Sequence, residues 1–144
     1  MINSREINDL LPAVASRCHA FVGACNLHGI DVIITSTYRD FESQDALYAQ
    51  GRTVPGDRVT KVRGGDSIHN YMRAFDFVPT RNGKPVWGYK GVDGELWLKC
   101  GIIAESCGLE WGGRWTTFKD RPHCQYLGGM TLAVLKADRA EVRK

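Results

Sequence analysis

A carboxylate stands in the middle of an apolar strand pattern. Ala74-Phe75-Asp76-Phe77-Val78 alternates as a half-buried strand does, with Phe75 and Phe77 on one face and Ala74, Asp76 and Val78 on the other. An ionised group in that position is costly unless it is paired or coordinates a metal. Any fold for this chain must therefore bring a cation to the centre of that strand. Two readings satisfy the constraint: an ion pair with an arginine such as Arg73, or a metal ion shared with other ligands.

The histidines bear on the second reading. Of the four in the chain, His19 lies within a helical segment and His28 at its end, where a lone histidine is a surface or satisfied polar residue. His69 and His123 stand where loops run into strands, after Gly64-Gly65-Asp66-Ser67-Ile68 and after Asp120-Arg121-Pro122. A rigid element presents side chains at such junctions to a cleft. Two histidines and a carboxylate make the three-ligand set of a catalytic Zn2+ site, whose fourth position stays open to water or substrate. Zinc brings the pKa of bound water near neutrality. Asp120, three residues before His123, is the candidate general base: a turn at Asp120–Pro122 lets both residues face one cleft. The alternative is an ordinary turn or cap aspartate.

The chain has 144 residues, 43% hydrophobic and 24% charged. Residues 1–144 are therefore expected to form a single domain, and disorder and low-complexity structure are excluded. No run approaches the roughly 20 apolar residues of a transmembrane helix, so no membrane insertion is expected. Arg5, Glu6 and Asp9 precede any apolar run, which argues against a signal peptide and for synthesis in the cytoplasm. The net charge of +3, without a Lys/Arg block, fits weak attraction to anionic polymers and does not point to nucleic acid. Five cysteines with no C-x-x-C pair support neither a disulfide framework nor a four-cysteine zinc site. Cys18/Cys25 and Cys100/Cys107 read as small buried residues on helix faces, and Cys124 as core, pointing away from His123.

The periodicities predict a helix over residues 5–28, capped by Asn3 or Ser4, a strand over 31–37 and a helix over 40–50. The last of these carries an apolar spacing of Phe41, Ala46, Leu47 and Ala49. A sixteen-residue Gly-rich segment, Gly51–Asp66, follows, of the kind that is functional or mobile. A strand at 74–78, a loop over 80–94, a helix over 93–107, a segment over 108–120 with two tryptophans, a short strand at 123–127 and a helix over 131–142 complete the order. The expected class is α+β: a small antiparallel or mixed sheet with helices packed on it and the zinc site in a central cleft.

Ser67-Ile68-His69 through Ala74-Phe75-Asp76 resembles the S-x-H-x-x-G-x-A-x-D signature of the D-Ala-D-Ala carboxypeptidase / L-alanyl-D-glutamate endopeptidase family of zinc peptidases. Asp120-Arg121-Pro122-His123 resembles that family's second signature, and Ser36-Thr37-Tyr38-Arg39 its S-x-Y-R element. The likeness continues through Gln44, Leu47–Thr53, Pro55-Gly56, Leu109–Gly113 and Trp115, and runs from Asp31 to Tyr126 in the family's order. The phage endolysin branch is the nearest in pattern.

The resemblance implies zinc on His69, Asp76 and His123, with Asp120 as catalytic base. Arg39 would hold or polarise a substrate carbonyl or carboxylate, a task its two-pronged donor geometry suits; its alternative is a partner for Asp40 or Glu42. Ser67 would fix the His69 loop or touch substrate. Trp111 and Trp115 would line the cleft, unless they are core residues. The implied activity is hydrolysis of the L-alanyl-D-glutamate bond in bacterial peptidoglycan during phage-driven lysis. The protein would be a monomer in the host cytoplasm, acting on the periplasmic wall after release by a holin partner, with no separate wall-binding domain. Two rivals remain: a D-Ala-D-Ala carboxypeptidase, which a second cation beside Arg39 would favour, and a non-catalytic zinc-stabilised binding module. Two positions depart from the pattern. Met72 replaces the signature glycine, where methionine calls for space and an ordinary backbone angle, and Thr37 replaces a glycine frequent in S-G-Y-R.

Overall fold

Strand β2 (Ala74–Arg81) is the axis of the architecture. In the computed structural model, which describes the backbone of residues 1–142 and side chains through Asp138, β1 (Val32–Ser36) pairs with one edge of β2 and β5 (His123–Gln125) with the other. Strand β4 (Glu110–Trp111) lies outside β5, and β3 (Lys84–Pro85) folds back on the end of β2. All pairings are antiparallel. Helices α1 (Pro12–Leu27), α2 (Phe41–Ala49), α3 (Gly91–Ser106) and α4 (Leu132–Val142) surround this sheet, so the α+β expectation is met.

The alternation read in the sequence sorts β2 correctly. Phe75 and Phe77 are fully buried, with ring centroids 5.8 and 4.9 Å from that of Phe21 on α1, and Phe77 lies 5.2 Å from Trp97 on α3. Cys18, Cys25, Cys100 and Cys124 complete this core as free thiols, while Cys107 at the end of α3 is only partly buried. Burial pushes the Cys18 thiol up to about 12 and Cys124 well above its ordinary value, which removes both as nucleophiles.

Three local expectations are corrected. The first helix begins at Pro12, because proline fits a first-turn position and disfavours helical geometry in the residue before it. Residues 7–9 form a separate 3-10 turn. Asn3 and Ser4 do not cap α1; Ser4 Oγ accepts from Glu6 N (3.0 Å), and the N-terminal arm runs beside residues 36–40, with Thr37 N donating to Ser4 O (2.7 Å) and Asp40 N to Ile2 O (2.9 Å). On α2 the buried residues are Ser43 and Gln44, not the apolar set, because this helix packs its polar face against the loops of the cleft. Asp40 caps it, accepting from Ser43 N at 2.8 Å.

The Gly51–Asp66 segment is irregular but anchored. Gln44 Nε2 donates to Thr60 Oγ1 (3.2 Å) and Val62 O (2.9 Å), and Gly64 N to Asp45 Oδ1 (2.8 Å). These bonds hold residues 59–62 as one wall of a cleft of about 870 Å3. No helix is long and apolar enough to cross a membrane among the described residues.

Candidate active site

Sheet register assembles the site. Asp76 at the centre of β2 lies directly opposite His123 on β5 and opposite Ser36 at a bulge in β1. His123 reaches that register through a turn at Asp120–Pro122, closed by His123 N donating to Asp120 O at 3.2 Å. His69 arrives on a short 3-10 turn, Ile68–Tyr71, capped by Ser67, whose Oγ accepts from His69 N at 3.3 Å. Asn70 ties this turn down: its Oδ1 accepts from Gly65 N (2.9 Å) and its Nδ2 donates to Arg39 O (2.9 Å).

The three candidate ligands converge. His69 Nε2 lies 3.3 Å and His123 Nδ1 3.6 Å from the same oxygen, Asp76 Oδ1, and one ligand atom from each residue falls within 4.8 Å of the others. Both histidines are buried, and Asp76 retains 23% side-chain exposure towards the cleft.

The outer nitrogens decide whether a metal suits this set. His69 Nδ1 lies 2.8 Å from the carbonyl oxygen of Thr37, which can only accept, so Nδ1 carries the proton and Nε2 a bare lone pair. His123 Nε2 lies 2.7 Å from Gln125 Oε1, and Gln125 Nε2 donates to Glu110 Oε2 at 3.1 Å, which fixes that amide's orientation. His123 Nδ1 is therefore also bare. Two neutral imidazoles thus aim lone pairs at one carboxylate oxygen, an arrangement that a shared cation relieves. The histidine–carbonyl and histidine–amide contacts are the kind that orient metal-binding imidazoles. The residues fit a zinc ion with three protein ligands. Protons are the alternative occupants of those lone pairs. Burial pushes the Asp76 carboxyl up, but the charge of a protonated His69 and hydrogen bonds from His123 and His69 outweigh it and hold the group well below the usual carboxylate range. Burial likewise lowers His123, while the hydrogen bond and charge of Asp76 raise it more.

Asp120 lines the same cleft, with Oδ2 4.0 Å from His123 Nδ1. Desolvation raises its pKa, opposed by the positive charge of His123. Gly112 makes this placement possible: a Cβ there would stand 2.3 Å from Asp120 O, and Asp120 N donates to Gly112 O at 3.0 Å.

Arg39 pairs with neither Asp40 nor Glu42 among the described residues. Its Nη1 donates to Gln44 Oε1 (2.8 Å) and its Nη2 to Ser36 Oγ (3.0 Å), and Nη2 lies 3.9 Å from Asp76 Oδ2. Burial lowers its pKa, with Asp76 and Asp120 opposing. Arg73 turns away to Leu127 O (3.2 Å), so the Arg73–Asp76 pair does not form.

The two tryptophans separate. Trp115 lines the cleft, its ring 5.2 Å from that of His123 and its Nε1 donating to Glu110 Oε2 at 2.9 Å. Trp111 does not reach the cleft. It is buried against Gly101 and Gly113, whose missing Cβ atoms leave room for its ring, and donates to Arg121 O at 2.7 Å. Met72 also departs from expectation: it sits at φ 61°, ψ 29°, a left-handed conformation that the turn imposes where the signature has glycine.

Thr37, Gln44 and Glu110 fall within the family likeness, but their hydrogen bonds at the site, like that of Gln125, are not announced by residue type. Alternation offers one usable signal, since Gln125 shares a strand face with His123. Thr37 contributes a backbone carbonyl, for which residue type gives no sign.

This constellation fits a class, metal-dependent hydrolases: a buried set of two histidines and one carboxylate able to hold a metal ion, open to a cleft that a second carboxylate, Asp120, also lines. The profile of a family described as D-alanyl-D-alanine carboxypeptidase matches residues 60–126. The chain is 43% identical over 126 residues to the peptidoglycan L-alanyl-D-glutamate endopeptidase CwlK of Bacillus subtilis (strain 168), covering 83% of this chain and 75% of that protein. It is 33% identical over 122 residues to the L-alanyl-D-glutamate peptidase of Listeria phage A118, covering 84% of this chain and 39% of that one. The fold is shared with the L-Ala D-Glu endopeptidase ChiX of Serratia marcescens (TM-score 0.58, 18% identity, 90% of this chain and 86% of that one). It is also shared with the LD-carboxypeptidase LdcB (TM-score 0.62, 18% identity, 90% and 64%). The chain belongs to the D-Ala-D-Ala carboxypeptidase / L-alanyl-D-glutamate endopeptidase family of zinc peptidases.

Proposed function

We propose that the protein hydrolyses the L-alanyl-D-glutamate bond of peptidoglycan stem peptides. The chemistry rests on one observation: two histidine lone pairs, each fixed by an acceptor behind it, converge on Asp76 Oδ1. The choice of bond is supported by the names of the two relatives with the higher identities.

His69 Nε2, Asp76 and His123 Nδ1 would hold the zinc ion, which when bound supplies a Lewis acid and an acidified water. Asp120 is the base that takes a proton from the attacking water and returns it to the departing amine of D-Glu, a role supported by its place in the cleft, 4.0 Å from His123. Arg39 places a fixed positive charge beside Asp76, where negative charge develops on the scissile carbonyl oxygen. Ser67 keeps the His69 turn in place, and Trp115 forms the wall behind His123. Residues 1–144 act as one peptidase unit and as a monomer. Likeness to a phage enzyme supports a lytic role, with synthesis in the host cytoplasm and access to the periplasmic wall through a holin.

A D-Ala-D-Ala carboxypeptidase is the second reading, because Lys61 and Lys119 line the same cleft as Arg39. Mass spectrometry of Gram-negative sacculi separates the readings. New peptides beginning at D-Glu, lost on chelation and restored by zinc, are expected. Release of free D-Ala would move the assignment to the carboxypeptidase, and a zinc-loaded protein that cuts nothing would leave only a binding module.

A further inference from the structure

Two loops meet across the mouth of the cleft. Lys61 Nζ, on the 59–62 wall, lies 3.1 Å from the ring centroid of Phe118 on the opposite wall, and both residues line the cavity that holds His69, Asp76 and His123. Phe118 is unusual twice over. It is 67% exposed, so its ring adds little to the core, and it sits at φ 54°, where a bulky side chain is strained. Strain of this kind collects at ligand clamps.

Lys61 differs from the paired cations of the surface. Lys136 binds Asp66 at 2.5 Å, Arg81 binds Asp93 at 2.6 Å and Arg114 binds Glu105 at 3.0 Å. Among the described residues Lys61 has no carboxylate partner and rests on an aromatic face, which holds an ammonium in place without neutralising it. Asp66 lines the same cleft, but its carboxylate goes to Lys136. Arg39 is less free: its two terminal nitrogens serve Gln44 and Ser36, with Asp76 beyond, and its Nε is buried without a partner. Of the cations that line the cleft, Arg39 is thus committed to the metal-binding carboxylate, while Lys61 rests on an aromatic ring that substrate can replace.

The substrate supplies an anion next to the scissile bond. In the stem peptide D-Glu continues through its γ-carboxyl, so its α-carboxylate stays free, on the carbon that bears the scissile nitrogen. On the L-alanyl-D-glutamate reading above, we infer that Lys61, held by Phe118, binds the free α-carboxylate of the D-Glu residue and selects against stem peptides in which that group is amidated. A carboxylate is a better partner for an ammonium than a ring face, so Lys61 passes from Phe118 to substrate as the cleft fills.

The test uses the zinc-loaded protein and two synthetic substrates, N-acyl-L-Ala-γ-D-Glu-L-Lys with the D-Glu α-position as carboxylate or as carboxamide. Wild type is expected to prefer the carboxylate by about tenfold in kcat/KM, mainly through KM, because the contact is made in ground state and transition state alike. K61M should bring the ratio to about one and K61R should keep most of it. F118A, which removes the resting place but not the charge, should lower it less than K61M. A wild type that cuts both substrates equally, or a K61M protein that keeps the preference, overturns the inference while the scissile bond stands. Failure of wild type to cut either substrate overturns the bond assignment, and the inference with it.

Discussion

The floor and the walls of the cleft are built on opposite plans. On the floor, His69, Asp76 and His123 come from regular or tightly capped elements, lie against the core, and have their second polar atoms occupied by Thr37, Arg39 and Gln125. The walls, residues 59–62 and 115–120, are irregular and largely exposed, and Lys61 of one rests on the Phe118 ring of the other. A buried polar cluster must be fully partnered to be tolerated, so the floor has little freedom to vary. Exposed loops carry no such obligation and can be shaped for a ligand. On the function proposed above, the floor holds the metal, while the walls carry the base Asp120 and the contacts that hold the peptide.

The sharpest way to break this division is to remove a ligand. H69A should lose both zinc and hydrolysis, checked by metal analysis of the purified protein beside the sacculus assay. Metal content and activity unchanged by H69A would mean that His69 holds no metal, that any zinc sits elsewhere, and that Asp76 is served by an ion pair with Arg39. D120N comes next. Zinc content should hold while kcat falls on the order of 10²–10⁴-fold, the usual worth of a positioned general base. Loss of zinc in D120N would move Asp120 from the wall to the floor.

A smaller effect is expected behind the ligands. Q125A frees His123 Nε2 from its acceptor and should weaken zinc binding by about 10–100-fold in a competition titration with a chromogenic chelator. An unchanged affinity would show that the register of β5 alone orients the ring. The smallest effect belongs to the turn that carries His69. M72G removes a left-handed methionine and should stabilise the protein by up to about 1 kcal/mol in denaturant unfolding, net of the extra chain entropy of glycine. Destabilisation instead would mean that the Met72 side chain contributes more by packing than its backbone costs.

Much of the floor is legible in the amino-acid sequence. The misplaced Asp76, the loop-to-strand histidines and the Asp120–Pro122 turn each carry a local chemical sign, and a local sign needs no tertiary context to be read. The walls are less legible. Gly51–Asp66 can be recognised as irregular, but its partners on α2 cannot, because Gln44 is a polar residue set between Phe41 and Leu47 on one helix face and its type gives no sign that it is buried and bonded to that segment. Trp111 and Trp115 look alike in sequence and part only because Gly101 and Gly113 leave a slot for one ring.

What the sequence by itself determined is the set of chemical groups: one carboxylate that needs a cation, two histidines able to share it, a second carboxylate three residues upstream of the second histidine, and a β2 whose faces are sorted by alternation. What only the tertiary structure decided is orientation and commitment. The tautomer of His69 is set by a carbonyl 32 positions away, the guanidinium of Arg39 is claimed by Gln44, Ser36 and Asp76, and Lys61 meets a phenylalanine from the far wall. Residue type records what a side chain can do. Which of its atoms remain free to do it depends on neighbours that only the folded chain brings within hydrogen-bonding range.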